Sequence, residues 1–291
     1  MMKNKLLITT LLLSFSAGIC SVSAATDPEA DRKKLVKYFM DMNGSILFEG
    51  YPLKIDDFRF GSNIFDPDKY AQFQSAEEFP PYMEHVEAGE KLWKNPFANG
   101  KTYSSCTDFS GDVKSIRAHY PRFDDARAEV VNLDQAVNEC RVANGEKEYK
   151  YGSKDKDLDK ITAYLGYEAR GQKSQVVINS IGALDAYQLG EMIYHTRRGQ
   201  LNQSCSGCHI TSTGRRIRSE LLSPIIGHTT HFPAYRSSAN DLVSLQKRYV
   251  GCMESVRAYA FKANSKELKA LEFYESYMSN GLTVDAPGYR P

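Results

Sequence analysis

The sequence predicts a mainly α-helical protein that contains two similar domains, on three grounds. Apolar residues recur at helical spacing, as Leu35, Tyr38, Phe39 and Met42 do, and this periodicity is typical of an amphipathic helix. Strand-like alternation of apolar and polar residues is sparse along the chain. Blocks of residues from the middle of the chain also recur in the same order nearer its end, which indicates an internal duplication.

The first 24 residues have the features of a secretory signal peptide. Lys3 and Lys5 precede an apolar run, and Val22-Ser23-Ala24 supplies a cleavage site of small residues. The apolar run is too short to span a membrane, and no later segment is long and apolar enough to do so. We therefore expect an exported, periplasmic protein that loses this segment and has no membrane span.

The charge of the chain excludes one broad class of function. Its 291 residues carry a formal net charge of +1 at pH 7. A protein that binds nucleic acid through bulk charge needs a strongly basic surface, so we expect no nucleic-acid partner. The length leaves room for two ordinary domains.

The first helix is predicted to begin at Asp27-Pro28, because Asp caps helices well and Pro suits their first position. The helical pattern stops at Asn43-Gly44. Residues 45–85 are rich in Pro, Asp and aromatic residues and have no clear periodicity. We interpret them as an irregular arm packed on a neighbouring domain, and a mobile linker is an equally allowed alternative.

The duplicated unit begins near residue 86. Each copy is predicted to contain a helix before a Cys-bearing loop, a proline-containing connection, a second helix that carries a Cys, and a last helix that ends in Gly. We assign residues 25–180 to the arm and the first domain, and residues 181–291 to the second domain. The matched positions include Gly89 and Gly190, Gly100 and Gly199, Cys106 and Cys205, Pro121 and Pro233, Cys140 and Cys252, and Gly171 and Gly281.

The strongest chemical signal is the run Cys205-Ser206-Gly207-Cys208-His209 in the second copy. C-x-x-C-H is the attachment signature of a c-type haem. The two thiols bond to the vinyl groups of the porphyrin, and the histidine becomes an axial ligand of the iron. A redox dithiol and one half of a zinc site are the alternatives. The export signal favours one covalently held haem c in a cytochrome c-like second domain.

The first copy has lost this signature. It reads Cys106-Thr107-Asp108-Phe109-Ser110 at the equivalent place, so the second thiol and the imidazole are absent and we expect no haem there. Cys106 and Cys140 remain, and in an oxidising compartment we expect them to form a disulfide. Two reduced, buried cysteines are the alternative.

Cys252 is left without a partner by these assignments. Arg248 and Cys252 stand four residues apart on one predicted helical face, so the guanidinium and the sulfur can point into the same space. A buried apolar cysteine beside a solvated arginine is the simpler interpretation. The unpaired thiol also stands where a second axial ligand would lie. A thiolate opposite His209 would stabilise ferric iron, with Arg248 positioned to bind an anion.

Other side chains near the signature are weaker candidates. Five basic residues as a group would steer a small anion towards the site, although each alone is more often a solvated charge. Two histidines rank below Cys252 because neither has an evident counterpart in the first copy. Two methionines are candidates if the sixth ligand is a thioether. These residues are Arg215, Arg216, Arg218, Lys247 and Arg257; His228 and His231; and Met253 and Met278.

Together, these motifs resemble the SoxA family, the larger cytochrome subunits of sulfur-oxidising (Sox) systems. The resemblance covers most of the chain after the signal. It rests on residues 204–209, on Phe232-Pro233-Ala234-Tyr235-Arg236 and on Arg248-Tyr249-Val250-Gly251-Cys252. C-x-x-C-H alone is common to cytochromes c, whereas R-x-x-x-C after F-P-x-Y-R is much more specific.

The resemblance implies an L-cysteine S-thiosulfotransferase. Such a subunit pairs with a SoxX-type cytochrome c, joins thiosulfate oxidatively to a cysteine of the carrier protein SoxYZ, and passes electrons to cytochrome c. It implies His209 and Cys252 as axial ligands, Cys252 as the catalytic sulfur and Arg248 as the substrate-binding residue, and it leaves open whether Cys252 is a persulfide. Phe109 and Ser110 place the chain with the single-haem type. A simple electron-transfer cytochrome c and a haem-free thiol–disulfide oxidoreductase are the alternatives.

Overall fold

The computed structural model of the chain describes residues 26–42, 52–152 and 154–290. The predicted signal peptide and the helix end at Asn43-Gly44 lie outside these residues. Helical segments dominate the described part of the chain, so the predicted fold class is confirmed. The α-helices are α1 (Pro28–Asp41), α2 (Pro67–Glu78), α3 (Met83–Lys94), α4 (Val113–Ile116), α5 (Leu133–Ala143), α6 (Asp157–Glu168), α7 (Ile181–His195), α8 (Leu245–Ser255) and α9 (Lys266–Met278).

Short strands form three small sheets. β1 (Arg122–Asp124) and β2 (Glu129–Val131) form an antiparallel hairpin, as do β3 (Arg216–Ile217) and β4 (Glu220–Leu221). In the third sheet, β5 (Ala234–Arg236) lies between antiparallel β6 (Asp241–Val243) and parallel β7 (Gly288–Arg290). These strands were not predicted because alternation cannot be recognised in runs of two or three residues.

The first helix forms as predicted. The side chain of Asp27 accepts hydrogen bonds from the backbone N–H groups of Glu29 and Ala30, both at 3.1 Å, and Pro28 occupies the first helical position. These contacts satisfy backbone donors that the helix itself leaves unpaired. The helix buries Phe39 against the rest of the protein.

The arm before the first domain has more regular structure than predicted. A 3-10 helix, interrupted at Gly61, covers Ile55–Phe65, and α2 follows it. Asp66 caps α2 and Pro67 begins it, the same pair of signals that starts α1. The prediction of an irregular segment is therefore wrong. The helix was not recognised in the sequence because α2 buries only Phe73, so its apolar periodicity is weak.

The described part of the arm packs on the second half of the protein. This agrees with the interpretation of a packed arm rather than a mobile linker. Nη1 of Arg290 in β7 donates to the carbonyl of Phe60 at 2.6 Å. The carboxylate of Asp56 accepts from the backbone N–H and the hydroxyl of Thr283, at 2.7 and 2.8 Å. A Cβ atom on Gly227 would lie 2.2 Å from the carbonyl oxygen of Phe58, so only glycine allows this close approach.

The two copies of the repeat share one helix crossing. In the first, α3 crosses α6 where a Cβ on Gly89 would lie 2.0 Å from the carbonyl oxygen of Lys160. In the second, α7 crosses α9 where a Cβ on Gly190 would lie 2.1 Å from the carbonyl oxygen of Ala270. At both crossings the glycine lies directly against the backbone of the facing helix. A residue with a Cβ atom would clash there, so the close approach requires glycine. The hairpins β1–β2 and β5–β6 are likewise equivalent, at the 112-residue offset of Pro121 and Pro233.

We refer to the segment from α3 to α6 as the first domain and the segment from α7 to α9 as the second. The two domains meet in a polar interface. Buried Arg117 donates to the carbonyl of Thr229 at 2.9 Å, and the amide of Asn132 donates to Glu272 at 3.0 Å. Across the interface, Lys156 donates to the carbonyl of Leu242 at 2.8 Å. No helix within the described residues is long and apolar enough to cross a bilayer.

Candidate functional site

The C-x-x-C-H run leads from the loop after α7 into a π-helical turn at Gly207–Thr211. The hydroxyl of Ser204 accepts the backbone N–H of Gly207 at 3.0 Å and so fixes the start of the turn. Cys205 and Cys208 are both half-buried, and neither forms a disulfide. The two thiols therefore remain free for attachment to another group.

His209 is held in a defined orientation and tautomer. Its Nδ1 lies 2.7 Å from the carbonyl oxygen of Ser223, to which Nδ1–H donates. Burial, with a smaller effect of His228, lowers the pKa of His209 to about 3. The imidazole is therefore neutral and its Nε2 lone pair is free, as in a histidine that ligates a metal.

Cys252 lies within electrostatic range of the two thiols of the signature. It lies on α8, and its half-buried thiol influences the pKa of both Cys205 and Cys208. Burial raises the pKa of the Cys252 thiol, and the Arg248 guanidinium opposes this rise. Arg248 also acts electrostatically on His209. The predicted residues of the second domain therefore lie within electrostatic range of one another.

Arg248 is half-buried and its guanidinium forms no hydrogen bond or ion pair with any described residue. At the 112-residue offset of the repeat, the first domain has buried Ala136 in its place. An arginine is therefore not needed to build this helix. A desolvated guanidinium without a partner is suited to binding an anion, because it donates two parallel hydrogen bonds to oxyanions.

The structure does not gather the five other basic residues around Cys252. Arg216 donates to Asp66 of the arm at 2.6 Å, and exposed Lys247 acts on Asp159 of the first domain. The second cation whose charge reaches the thiol of Cys252 is instead Arg236, which pairs with Glu220 at 2.9 Å. All five of these basic residues are exposed: Arg215, Arg216, Arg218, Lys247 and Arg257.

The two histidines of the loop after β4 are both buried. The ring of His228 lies 4.7 Å from that of His209, centroid to centroid. Nδ1 of His231 lies 3.1 Å from the carbonyl oxygen of Gly227, and burial lowers its pKa. Contrary to the expectation from the sequence, His231 does have a counterpart in the first copy. His119 precedes Pro121 by two residues, as His231 precedes Pro233.

The two methionines belong to the hydrophobic core of the second domain. Met253 and Met278 are both buried there, among residues such as Tyr187 and Leu271. Met253 follows Cys252 directly and so leaves α8 on a different face. Their burial in the core favours packing over ligation for both.

The residues present fit a haem c. Two thiols stand at the attachment spacing, the imidazole of His209 has a free nitrogen, and the sulfur of Cys252 is near. Oη of Tyr194 and Nε of Arg198 are buried near Cys205 without a hydrogen-bond partner among the described residues. Such donors suit the carboxylates that a haem carries.

A zinc site fits less well. Within the described ranges, no three His, Cys, Asp or Glu side chains gather as a metal site. A structural zinc ion requires four protein ligands, whereas haem iron requires only one or two because the porphyrin supplies the others.

Aromatic rings fill the first domain at the place equivalent to the site. Trp93 stacks on Tyr103 with ring centroids 4.6 Å apart, and Phe109 meets Trp93 edge to face at 5.2 Å. Phe109 is fully buried at the position equivalent to Cys208. Beside these rings, Cys106 and Cys140 are joined by a disulfide.

Glu275 and Tyr249 were not predicted from the sequence to be residues of the site. Glu275 of α9 is only 1% exposed, and its Oε2 accepts a hydrogen bond from the hydroxyl of Tyr249 at 3.0 Å. Nδ1 of His228 also lies 3.0 Å from this oxygen, although outside the angles of a directed hydrogen bond. The repeat contained a signal for both, because the first copy has the apolar residues Leu165 and Val137 at the positions of Glu275 and Tyr249.

The chain is similar to known proteins over most of its length. It matches the family model of the SoxA/TsdA cytochrome c domain over residues 88–174 and 189–284. It is 45% identical to the L-cysteine S-thiosulfotransferase subunit SoxA of Chlorobaculum thiosulfatiphilum, over 90% of this chain and 87% of that protein. It is 40% identical to the subunit of the same name from Allochromatium vinosum, over 100% of both. The crystal structure of SoxXA from P. pantotrophus is similar with a TM-score of 0.68 and 31% identity, and the match covers 76% of this chain and 84% of that one.

Proposed function

The chain belongs to the SoxA/TsdA cytochrome c family, and on that basis we propose that it is the SoxA-type subunit of an L-cysteine S-thiosulfotransferase. In this reaction a sulfur–sulfur bond forms between the outer sulfur of thiosulfate and a cysteine of a SoxYZ-type carrier protein. The carrier thiol releases one proton, and two electrons leave the sulfur atoms. When bound, haem c supplies the acceptor that passes these electrons on to cytochrome c.

In this proposal Cys205 and Cys208 would hold one haem c covalently, and His209 and Cys252 would ligate its iron. The neutral imidazole of His209, fixed by the carbonyl of Ser223 at 2.7 Å, supports the first assignment. The proximity of Cys252 to both attachment thiols supports the second. A thiolate ligand favours the ferric state, and its sulfur is placed to take part in the reaction.

The single observation that carries the proposal is the unpartnered Arg248 one helical turn from Cys252. Its guanidinium binds the sulfonate oxygens of thiosulfate and orients the outer sulfur towards Cys252. The half-buried position strengthens this attraction, because the effective dielectric constant is lower there than in water. Ala136 at the equivalent place in the first domain supports a role for Arg248 in binding rather than in folding.

We assign the haem to residues 181–291 and none to the rest of the chain. The rings of Trp93, Tyr103 and Phe109 pack together in the interior of the first domain, which supports the absence of a porphyrin there. That domain keeps the Cys106–Cys140 disulfide as a structural bond.

The partners follow from the relatives. The similar structure is that of a SoxXA complex, so we propose a SoxX-type cytochrome c as the partner subunit in a heterodimer. A SoxYZ-type carrier, thiosulfate and an acceptor cytochrome c complete the reaction. Residues 1–24 direct export to the periplasm and are removed there.

The test uses the subunit complexed with its SoxX-type partner and a purified SoxYZ-type carrier. Conjugation is followed by the mass gain of the carrier together with the reduction of cytochrome c. For Arg248→Ala we expect kcat/KM for thiosulfate to fall roughly 10- to 150-fold, the loss of about 1.5–3 kcal/mol from charged hydrogen bonds. Lys247→Ala is the matched control, since it removes an exposed positive charge from the adjacent position.

A second variant tests the sulfur. Cys252→Met is expected to keep one haem per chain, raise the midpoint potential and abolish conjugation. Undiminished turnover in this variant would contradict a catalytic role for Cys252. Cytochrome c reduction without any mass gain of the carrier, in the wild type, would make the protein a simple electron-transfer cytochrome instead.

A further inference from the structure

A buried carboxylate lies beside the proposed haem site of the second domain and has no counterpart in the first. Glu275 is 1% exposed on the inner face of α9. The helix crossings at Gly89 and Gly190 align α6 of the first domain with α9 of the second. In this alignment Leu165 of α6 is equivalent to Glu275. Leu165 is fully buried in the core of the first domain. The fold itself is therefore satisfied by an apolar side chain here.

Glu275 links the segments that carry the two proposed axial ligands. Its Oε2 accepts the hydroxyl of Tyr249, which lies three residues before Cys252 on α8. The same oxygen lies 3.0 Å from Nδ1 of His228, whose ring packs on that of His209. In the first domain the residue equivalent to Tyr249 is Val137, which is also buried. A carboxylate and a hydroxyl have thus replaced two apolar side chains between these helices.

The charge of Glu275 reaches the sulfur atoms of the site. Glu275 lies within electrostatic range of Cys205 and Cys252. An isolated buried carboxylate destabilises a fold by several kcal/mol unless it is well paired. Its presence here, where the sister domain has leucine, indicates a role in the chemistry of the site.

We propose that Glu275 is a positioning residue of the haem site, which holds the helix of Cys252 and the ring packed on His209, and whose buried negative charge favours the oxidised state of the centre. This inference rests on the proposed function, because it requires haem to be bound by Cys205, Cys208 and His209. A fixed negative charge in a medium of low dielectric constant stabilises ferric over ferrous iron. Glu275 therefore lowers the reduction potential in addition to the effect of a thiolate ligand.

The test compares the midpoint potential of the haem in the wild type, Glu275→Gln and Glu272→Gln. Glutamine keeps an oxygen that accepts from Tyr249 but removes the charge. Glu272 is a matched control, since it is another buried carboxylate of α9, one turn earlier, and accepts from Asn132 and Gln246 at the domain interface. We expect a positive shift of the potential in Glu275→Gln that Glu272→Gln lacks, with one haem per chain and an unchanged low-spin ferric spectrum in both. Equal potentials in the two variants would overturn the inference.

Two further variants keep the test decisive. Glu275→Asp retains the charge, so we expect it to restore the wild-type potential; a shift as large as that of Glu275→Gln would refute the electrostatic role. Glu275→Leu introduces the residue of the first domain, and we expect a heterogeneous ferric electron paramagnetic resonance spectrum because α8 loses its anchor. A homogeneous wild-type spectrum in this variant would refute the positioning role. Absence of haem from the wild type, by pyridine haemochrome, would instead overturn the proposed function itself.

Discussion

Removal of the Cys106–Cys140 disulfide is expected to destabilise the first domain without affecting haem content. The bond closes a loop with a sequence separation of 34 residues. In the chain-entropy relation a loop of this length corresponds to about 4 kcal/mol at 25 °C. We propose the double variant Cys106→Ser, Cys140→Ala, because Cys140 is buried and a hydroxyl there would add a desolvation cost. With a slope of about 2 kcal/mol per molar urea, the midpoint of unfolding should fall by roughly 2 M.

The protein contains the probe needed for this experiment. Trp93 is the only tryptophan of the chain and stacks on Tyr103 in the core of the first domain, so its fluorescence reports that domain. With the proposed haem attachment, the Soret band reports the second domain. We expect the fluorescence midpoint to fall by the larger amount, and the haem content to stay at one per chain. A fluorescence shift below about 0.5 M, or a loss of haem, would refute the assignment of the disulfide as a structural bond of the first domain.

Three further predictions concern packing and charge. Gly190→Ala places a Cβ 2.1 Å from a backbone carbonyl of the facing helix, so the melting temperature should fall in line with a loss of about 1–3 kcal/mol; Gly111→Ala, in open space, is the control and should change nothing. Phe109→Ala should cost about 3–5 kcal/mol through the cavity it leaves and shift the emission of Trp93; unchanged emission would contradict the ring contact. Burial raises the pKa of Asp285 from 3.8 to about 6, so folding takes up a proton between these values and roughly 3 kcal/mol of stability is lost as the pH rises through them. Asp285→Asn should remove this loss, which melting temperatures at about pH 4.5 and pH 7 would reveal, and an unchanged pH dependence would exclude Asp285 as its source.

The chemistry-bearing residues were predictable because each depends on spacing within a short stretch of chain. Cys205, Cys208 and His209 form a five-residue run, and Arg248 and Cys252 are one helical turn apart. Such local spacing survives folding unchanged. The repeat was visible for a similar reason, since the glycines at the helix crossings and the prolines before the hairpins cannot be replaced freely.

The parts that were missed depend on contacts between distant segments. Glu275 has no local pattern that distinguishes it from a surface glutamate of an amphipathic helix. Its burial depends on neighbours in space, Tyr249 and His228, and in the sequence only a comparison with Leu165 of the first copy indicates it. The helix α2 buries one side chain, so its apolar periodicity was too weak to detect. The hairpins are held by pairing between strands and by the domain interface, neither of which a window of sequence contains.

The contact between Arg117 and the carbonyl of Thr229 has a consequence for the evolution of the chain. A duplicated copy that has lost its cofactor is ordinarily free to drift or to be deleted. Here the copy without the haem signature contributes a buried guanidinium, at 2.9 Å, to the loop that follows His228. Deletion would expose that loop to water and leave its carbonyl without a donor. Selection therefore acts on the first copy as it would on a permanent partner subunit. The residues at its interface with the second copy are constrained, whereas its interior is free to change.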